Sequence, residues 1–336
     1  GRGWQLALNY LSFAFWGVLL APWYFRRQRF DVIFVFEPSP FTVGIPAVLM
    51  RWLKRAPILF WVQDLWPESL AATGAVRSPV ILRAVGYMVR WIYRRCDRVL
   101  VQSEAFVSPV VAAGARRKSV RYFPNWAESF YRPIRSREAL PAGCELPQGF
   151  RIMFAGNLGE AQALGTIIDA AKRLRYERKV QWIVIGDGRK RKWMEMQCSD
   201  LANVHFLGSF PAEDMPSFFA HADALLVTLK ADKTFSLTVP SKLQSYMACA
   251  RPVLAAINGE GARIVSESGC GFSVPAGDSR ALADAVRAML RLSPKQRSEM
   301  GERGRKYYEQ HFERDMLIER LEAWMQEASE EGLCAS

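Results

Sequence analysis

The chain reads as an α/β protein built from two doubly wound parallel-sheet domains facing a cleft, and three observations predict this. Its 336 residues exceed what a single core usually holds. Short, almost continuously apolar runs alternate with helix-periodic segments, the mark of βαβ units whose sheet is covered on both faces. The alternation halts in a breaker-rich stretch and then restarts. Half of the residues are hydrophobic and 12% are aromatic, enough apolar material for two cores, so disordered and fibrous classes are excluded.

Taken in order, the first element is the uncharged run Trp4–Phe25, closed by Arg26-Arg27-Gln28-Arg29. Its length suffices to span a bilayer. However, Gln5, Asn9, Ser12, Gly17 and Pro22 dilute it, while Leu6, Asn9, Tyr10, Phe13 and Gly17 recur at helical spacing. A packed helix or an in-plane membrane helix with basic anchors therefore ranks ahead of a membrane span. Strands are then expected at 31–36, 57–62, 98–102 and 119–123, with helices over 41–54 and 78–96. Residues 132–149, with Pro133, Pro141, Gly143, Pro147 and Gly149, form the expected linker. Strands resume at 151–155, 181–185, 204–207, 224–227, 252–255 and 271–274, and the last forty or so residues read as two amphipathic helices. The expected domains are 1–131 and 150–312, with 313–336 a C-terminal helix able to cross back to the first domain.

The charge is polarised along the chain. Residues 1–145 hold 20 Lys and Arg against 9 Asp and Glu, whereas the remainder is nearly balanced. The first half is therefore expected to face something anionic: lipid headgroups, a phosphorylated substrate or nucleic acid. Nucleic acid is the weakest of these and is not expected, since no recognition motif accompanies the basic residues. For any single Arg, a solvated helix face explains the charge as well. The six cysteines show no C-x-x-C pattern and fit buried thiols in a reduced compartment. His205, His221 and His311 are too dispersed for a metal cluster, and there is no D-x-D, so no metal is expected.

Three strand-to-loop transitions in the second half could carry chemistry. Gly156-Asn157-Leu158-Gly159 follows a strand, and glycines there let backbone N–H groups approach a phosphate. Gly186-Asp187-Gly188 begins like a dinucleotide fingerprint, but Arg191 occupies the third glycine position, which removes the main support for a nicotinamide enzyme. Pro240-Ser241-Lys242 opens a helix expected over 243–249, with Ser241 as its cap. Lys242 lies against the helix dipole, which makes sense if an anion sits between it and the exposed amides. A lysine reaching out to solvent explains that tripeptide equally well. Together the three segments favour a phosphate-bearing nucleotide ligand. In the first half, Asp64-Leu65-Trp66-Pro67-Glu68-Ser69 follows a strand just after Trp61, and Glu37-Pro38-Ser39-Pro40 ends the preceding one. Carboxylates and Trp faces suit sugar rings, although Trp66-Pro67 also reads as a rigid packed turn.

With these residues in hand, the chain resembles a known family. DLWPES (64–69), PNWAE (124–128), AGNLG (155–159), IGDG (185–188), PSKLQSYMACARPVLA (240–255), NGEGARIV (258–265) and GCGFSVPAGD (269–278) occur in the order found in bacterial family 4 glycosyltransferases. These are GT-B-fold enzymes of surface-polysaccharide synthesis. The likeness is greatest to the colanic acid or O-antigen N-acetyl-L-fucosaminyltransferase branch. The resemblance implies retaining transfer from a UDP-sugar, here of an N-acetylated amino sugar, to a polyprenyl-diphosphate-linked acceptor. The donor is a co-substrate, and neither cofactor nor metal is implied. It further implies a peripheral or monotopic enzyme at the cytoplasmic face of the bacterial inner membrane.

By the same resemblance Gly156 and Asn157 approach the diphosphate or sugar, and Gly186, Asp187 and Gly188 lie near the nucleotide. Ser241 and Lys242 hold the diphosphate, Glu260 belongs to the donor site, and Asp64 and Glu68 face acceptor or donor sugar. Asp64, Glu68 and Lys242 are the expected catalytic residues. The sequence departs from the family where a pair of glutamates eight apart is common, since Leu237 and Ser245 stand there. The family also begins with a strand and a glycine-rich loop ahead of the equivalent of Gly1, so the chain reads as N-terminally truncated. A UDP-sugar epimerase of the same fold and an inactive membrane-associated scaffold are the rival readings.

Overall fold

The computed structural model describes residues 3–72, 76, 78–134, 140, 141 and 144–334. Part of the expected 132–149 linker lies outside them. The chain divides into two compact units, Gly1–Pro124 with Asp315–Ser336, and Asn125–Arg314. The division between them falls at Pro124, ahead of the breaker-rich stretch, and the C-terminal helix Arg314–Cys334 belongs to the first unit.

In the first unit four parallel strands, β1 (Ile33–Glu37), β2 (Ile58–Val62), β3 (Arg98–Val101) and β4 (Val120–Tyr122), lie in sequential order. β2 and β3 are buried at every position, as continuous apolar runs require. Side chains alternate between the two faces. Phe60 meets Tyr93 of the helix Pro79–Tyr93, with ring centroids 5.9 Å apart. On the opposite face the Trp61 ring packs tilted against Phe123 with centroids 4.7 Å apart, and Phe123 meets Trp324 of the C-terminal helix at 5.9 Å. The buried Arg98 donates to Glu331 at 2.6 Å and fixes the end of that helix.

The uncharged segment forms the helix Gly3–Tyr24. It packs through a narrow stripe: Ala14 is buried, Gly17 lies against Pro46, and Thr42 donates to the Tyr10 carbonyl at 3.4 Å. The stripe expected from the spacing needs correction. Asn9 and Phe13 face outward, because the small residues Ala14, Gly17 and Ala21 let the backbone approach the helix Gly44–Lys54; the Leu6 side chain lies outside the described residues. Phe13, Phe15, Trp16, Leu19, Leu20 and Trp23 are all at least half exposed. Among the described residues no helix is long and apolar enough to cross a membrane.

The second unit carries six parallel strands in the order β10-β9-β8-β5-β6-β7. They are β5 (Phe150–Ala155), β6 (Val180–Ile185), β7 (Val204–Gly208), β8 (Ala224–Thr228), β9 (Val253–Ala256) and β10 (Gly271–Val274). Ile152 and Phe154 of β5 point into one apolar cluster and Met153 and Ala155 into the other, so both faces are covered. The order reverses at β5, which has β6 on one side and β8 on the other. Doubly wound sheets bind ligands at the carboxyl ends beside such a reversal. Cys96, Cys198, Cys249 and Cys270 are buried free thiols and Cys144 is half-buried.

Leu225 sits in the central strand β8 at 0% exposure, whereas Leu53 is 50% exposed. Leu225→Ala is expected to lower stability by about 2–5 kcal/mol. Leu53→Ala should stay within about 0.5 kcal/mol of the parent. Urea unfolding midpoints of the two variants check the contrast.

Candidate functional site

The register Ala155↔Ile185 sets the turns after β5 and β6 side by side. Backbone bonds then lock them together. Gly156 N–H donates to the Ile185 carbonyl at 2.9 Å, Leu158 N–H to Asp187 at 2.8 Å, and Lys190 N–H to Leu158 at 2.9 Å. Gly156 and Gly186 adopt φ of 135° and 130°, a region side chains rarely enter. Space demands glycine as well: a Cβ on Gly186 would collide with the Gly156 carbonyl, and one on Gly188 would lie 2.5 Å from Asn157 Oδ1. Asp187 is exposed, its carboxylate accepting from Gly188 N–H at 2.7 Å.

Lys242 reaches this pair of turns from the helix Ser241–Ala248, the helix two elements beyond β8. A Cβ built on Gly156 would sit 2.6 Å from Lys242 Cε and 3.1 Å from Nζ, so the missing side chain of Gly156 is the slot that Lys242 occupies. Its ammonium donates to Gln162 Oε1 at 2.6 Å and stands 3.7 Å from the centroid of the Phe154 ring. Neither neighbour carries a negative charge. Burial without a compensating anion pushes the ammonium down to about 7. A cation held this way is poised to gain from an arriving anion.

Gln162 is itself fixed, since its carbonyl accepts from Thr228 Oγ1 at 2.5 Å. Next to it, Glu160 binds both Lys190 (3.0 Å) and Lys230, and the two ammonium groups hold its carboxyl down to about 2. These contacts tie the turns after β5, β6 and β8 into one rim. No local motif marks Glu160, Gln162, Lys190 and Lys230 as site residues. The basic run Arg189-Lys190-Arg191-Lys192 directly after Gly188 was the available signal.

Two further expected donor residues, Ser241 and Glu260, are engaged by neighbours on their own helices. Ser241 is exposed and is the first helical residue, not the cap; Pro240 occupies the cap position without a side-chain bond. The helix begins two residues earlier than the expected 243, directly after Pro240. Glu260 opens the helix Glu260–Ser268, but Arg263 takes its carboxylate through two bonds of 2.6 and 3.1 Å. Ser245 donates to the Ser241 carbonyl at 3.3 Å.

In the first unit Glu37 ends β1, Asp64 lies just past β2 and Glu68 begins a short helix, Glu68–Ala72. Glu37 is fully buried. One carboxylate oxygen accepts weakly from Gln63 N–H at 3.4 Å and the other has no partner among the described residues. Burial, and then the nearby Asp64, raise its carboxyl well above the usual range; burial raises Asp64 too. Glu68 is exposed. The two tryptophans are not sugar platforms. Trp61 donates to the Phe123 carbonyl at 2.9 Å and Trp66 packs 5.2 Å from Phe41, both buried, so the packed-turn reading of Trp66-Pro67 is the one that holds. Among the described residues no group of three or more His, Cys, Asp and Glu converges to hold a metal ion.

Comparison with known proteins meets this geometry from another side. Residues 1–126 match the model of the glycosyl transferase 4-like domain, and residues 149–291 that of glycosyl transferases group 1. The chain is 27% identical over 308 residues to the probable glycosyltransferase WbjE of Pseudomonas aeruginosa, covering 89% of this chain and 75% of that protein. It is 27% identical over 231 residues to the putative colanic acid biosynthesis glycosyl transferase WcaI of Escherichia coli K12. That match covers 66% of this chain but only 56% of the relative. Among solved structures it is similar to Anabaena HepE in complex with UDP, with a TM-score of 0.71 at 18% identity over 89% of this chain and 79% of HepE. Sucrose-phosphate synthase of Thermosynechococcus elongatus gives a TM-score of 0.72 at 19% identity, covering 95% and 78%.

Gly156→Ala must place a methyl group against Lys242 and hold φ at 135°. It is expected to cost about 1–3 kcal/mol through backbone strain alone. The urea midpoint measures this, and a stability equal to that of the parent would show that the slot is not closed as described.

Proposed function

From the premise of a glycosyltransferase carrying a glycosyl transferase 4-like domain over residues 1–126 and a group 1 domain over 149–291, we propose a specific reaction. The enzyme moves a sugar from a UDP-linked donor to a lipid-linked saccharide during polysaccharide synthesis, with retention of anomeric configuration. The observation that carries this reading is the half-buried ammonium of Lys242, held against Gly156 with no carboxylate among its described partners. The UDP in the complex of the Anabaena neighbour, and the likeness to the two glycosyltransferase relatives, support the same reading.

In the proposed step the bond between the sugar anomeric carbon and the β-phosphate oxygen breaks, and that oxygen keeps the electron pair. Lys242 meets the charge that develops there, as a preorganised donor does in a water-poor site. The acceptor hydroxyl forms the new bond to the anomeric carbon on the face the phosphate leaves, and its proton passes to the departing phosphate. Neither a covalent nucleophile nor a bound metal enters this scheme. Asp64 and Glu68 accept hydrogen bonds from sugar hydroxyls. Ser241 lies at the helix start beside the diphosphate, and Glu260 acts through Arg263 at the rim of the donor site.

The proposed sugar is an N-acetylated amino sugar of the N-acetyl-L-fucosamine type, and the proposed acceptor a polyprenyl-diphosphate-linked saccharide at the cytoplasmic face of the inner membrane. The exposed apolar face of the helix Gly3–Tyr24, followed by Arg26, Arg27 and Arg29, supports peripheral contact with an anionic bilayer.

The test is a UDP-release assay on the full-length enzyme over a panel of UDP-sugars with a lipid-linked acceptor. Lys242→Ala should lower turnover by roughly a hundredfold or more. Unchanged turnover in that variant would refute the role of Lys242. Donor conversion without stoichiometric UDP release would favour the epimerase reading, and absence of UDP binding by calorimetry the scaffold reading.

A further inference from the structure

Glu37 is sealed from solvent, and the proposed step makes no use of it. No cation among the described residues meets its carboxyl. The helix Gly44–Lys54 packs on β1, but its Arg51 binds Asp97 and its Lys54 binds the Phe25 and Gln28 carbonyls. The turn 41–43 and strand β2 carry no ionisable side chain. The helix Pro79–Tyr93 turns its buried Tyr93 phenol towards Glu37, with Glu68 also near that phenol. Arg83 and Arg90 of the same helix are exposed and bond main-chain carbonyls. The remaining charged neighbour is Asp64, in the loop after β2. A carboxyl in these surroundings keeps its proton.

What Glu37 holds is the backbone that carries Asp64. Its main-chain carbonyl accepts from Gln63 N–H at 3.3 Å, its carboxyl accepts from the same N–H at 3.4 Å, and the Asp64 N–H also acts on that carboxyl. From the other side comes Gln102, buried just past β3, which donates through Nε2 to the Gln63 carbonyl at 3.0 Å. In the order β1-β2-β3, the last ladder pairs are Glu37↔Val62 and Val62↔Val101. Beyond them side chains continue the pairing. The residue before Asp64 is held at its N–H by one neighbouring strand end and at its C=O by the other.

We propose that Glu37 and Gln102 are positioning residues for the transfer reaction, a clamp that fixes the Gln63–Asp64 step and so aims Asp64 at the sugar. The proposal rests on the reading in which Asp64 accepts from sugar hydroxyls. Glu37 serves as a neutral acid, so Asp64 can carry charge without a second carboxylate repelling it. Ionised, Glu37 would set two like charges side by side out of water and drive Asp64 from its place. A misplacement of that kind slows turnover without touching the donor phosphates.

The experiment measures kcat against pH by UDP release on the full-length enzyme, saturated with the UDP-sugar that turns over fastest in the panel. Gln102→Met keeps the side-chain length and removes the donor. Its kcat is expected to fall roughly tenfold or more, with KM for the UDP-sugar near that of the parent. Glu37→Gln fixes the neutral state. The ratio of its kcat to that of the parent should climb with pH, by up to about tenfold per unit once Glu37 ionises in the parent. Ionisation of Lys242 is common to both enzymes and cancels in that ratio. Urea midpoints against pH give a second reading that needs no donor. A carboxyl whose native pKa lies above its unfolded value sheds stability as pH rises between the two, and Glu37→Gln should lose that slope except for the part due to Asp64. A kcat ratio flat with pH, or a urea slope shared by parent and Glu37→Gln, overturns the neutral acid. Parent-like kcat in Gln102→Met overturns the clamp. Asp64→Asn separates the two levels: slow turnover there beside a parent-like Gln102→Met sinks the clamp alone, whereas parent-like turnover of Asp64→Asn removes the reading beneath it.

Discussion

The second unit is organised around one unfavourable placement: an ammonium half withdrawn from water with no carboxylate among its described partners. Lys242 has a ring face, an amide oxygen and a glycine's empty flank as its surroundings. Each is a weaker partner than the water it replaced, and its pKa falls to about 7 as a result. A fold keeps such a group only where the surrounding packing over-determines it. Here the packing comes from Gln162, pinned through Thr228, and from the turn after β5, pinned through Ile185 and Asp187.

That arrangement explains why glycines recur where they do. Gly156 gives Lys242 its slot and Gly186 gives the Gly156 carbonyl its place, so the two turns and the lysine are one object. The Glu160 bridge to Lys190 and Lys230 extends it to the loop after β8. The surface so formed gathers cations around a reversal in strand order, the position at which doubly wound sheets take ligands. In the first unit the chemistry is of the opposite sign, with Glu37 and Asp64 both raised by burial.

Much of this was legible in the sequence. The ten strands among the described residues fall at the expected runs; β2, β3, β8 and β9 are buried throughout and have no polar side to confuse the pattern, whereas β4, β7 and β10 are half-buried and read through their neighbours in the alternation. The glycine turns and Lys242 were legible because strand ends and helix starts carry strong local chemistry. Long-range pairings were not. Nothing local tells that Arg263 claims Glu260, that Glu160 bridges two lysines, or that Trp61 spends its N–H on Phe123. The buried stripe of the first helix was misjudged for a related reason: close packing chose Ala14 and Gly17 over larger neighbours, and size complementarity with a distant helix leaves no periodic trace.

The most direct test of this account is an NMR titration of the Lys242 side-chain nitrogen, with and without UDP. The account predicts a midpoint near pH 7 in the free protein, rising by more than about one unit when the diphosphate supplies the missing charge. A midpoint near 10.5 in the free protein, or one that UDP leaves unmoved, would contradict it.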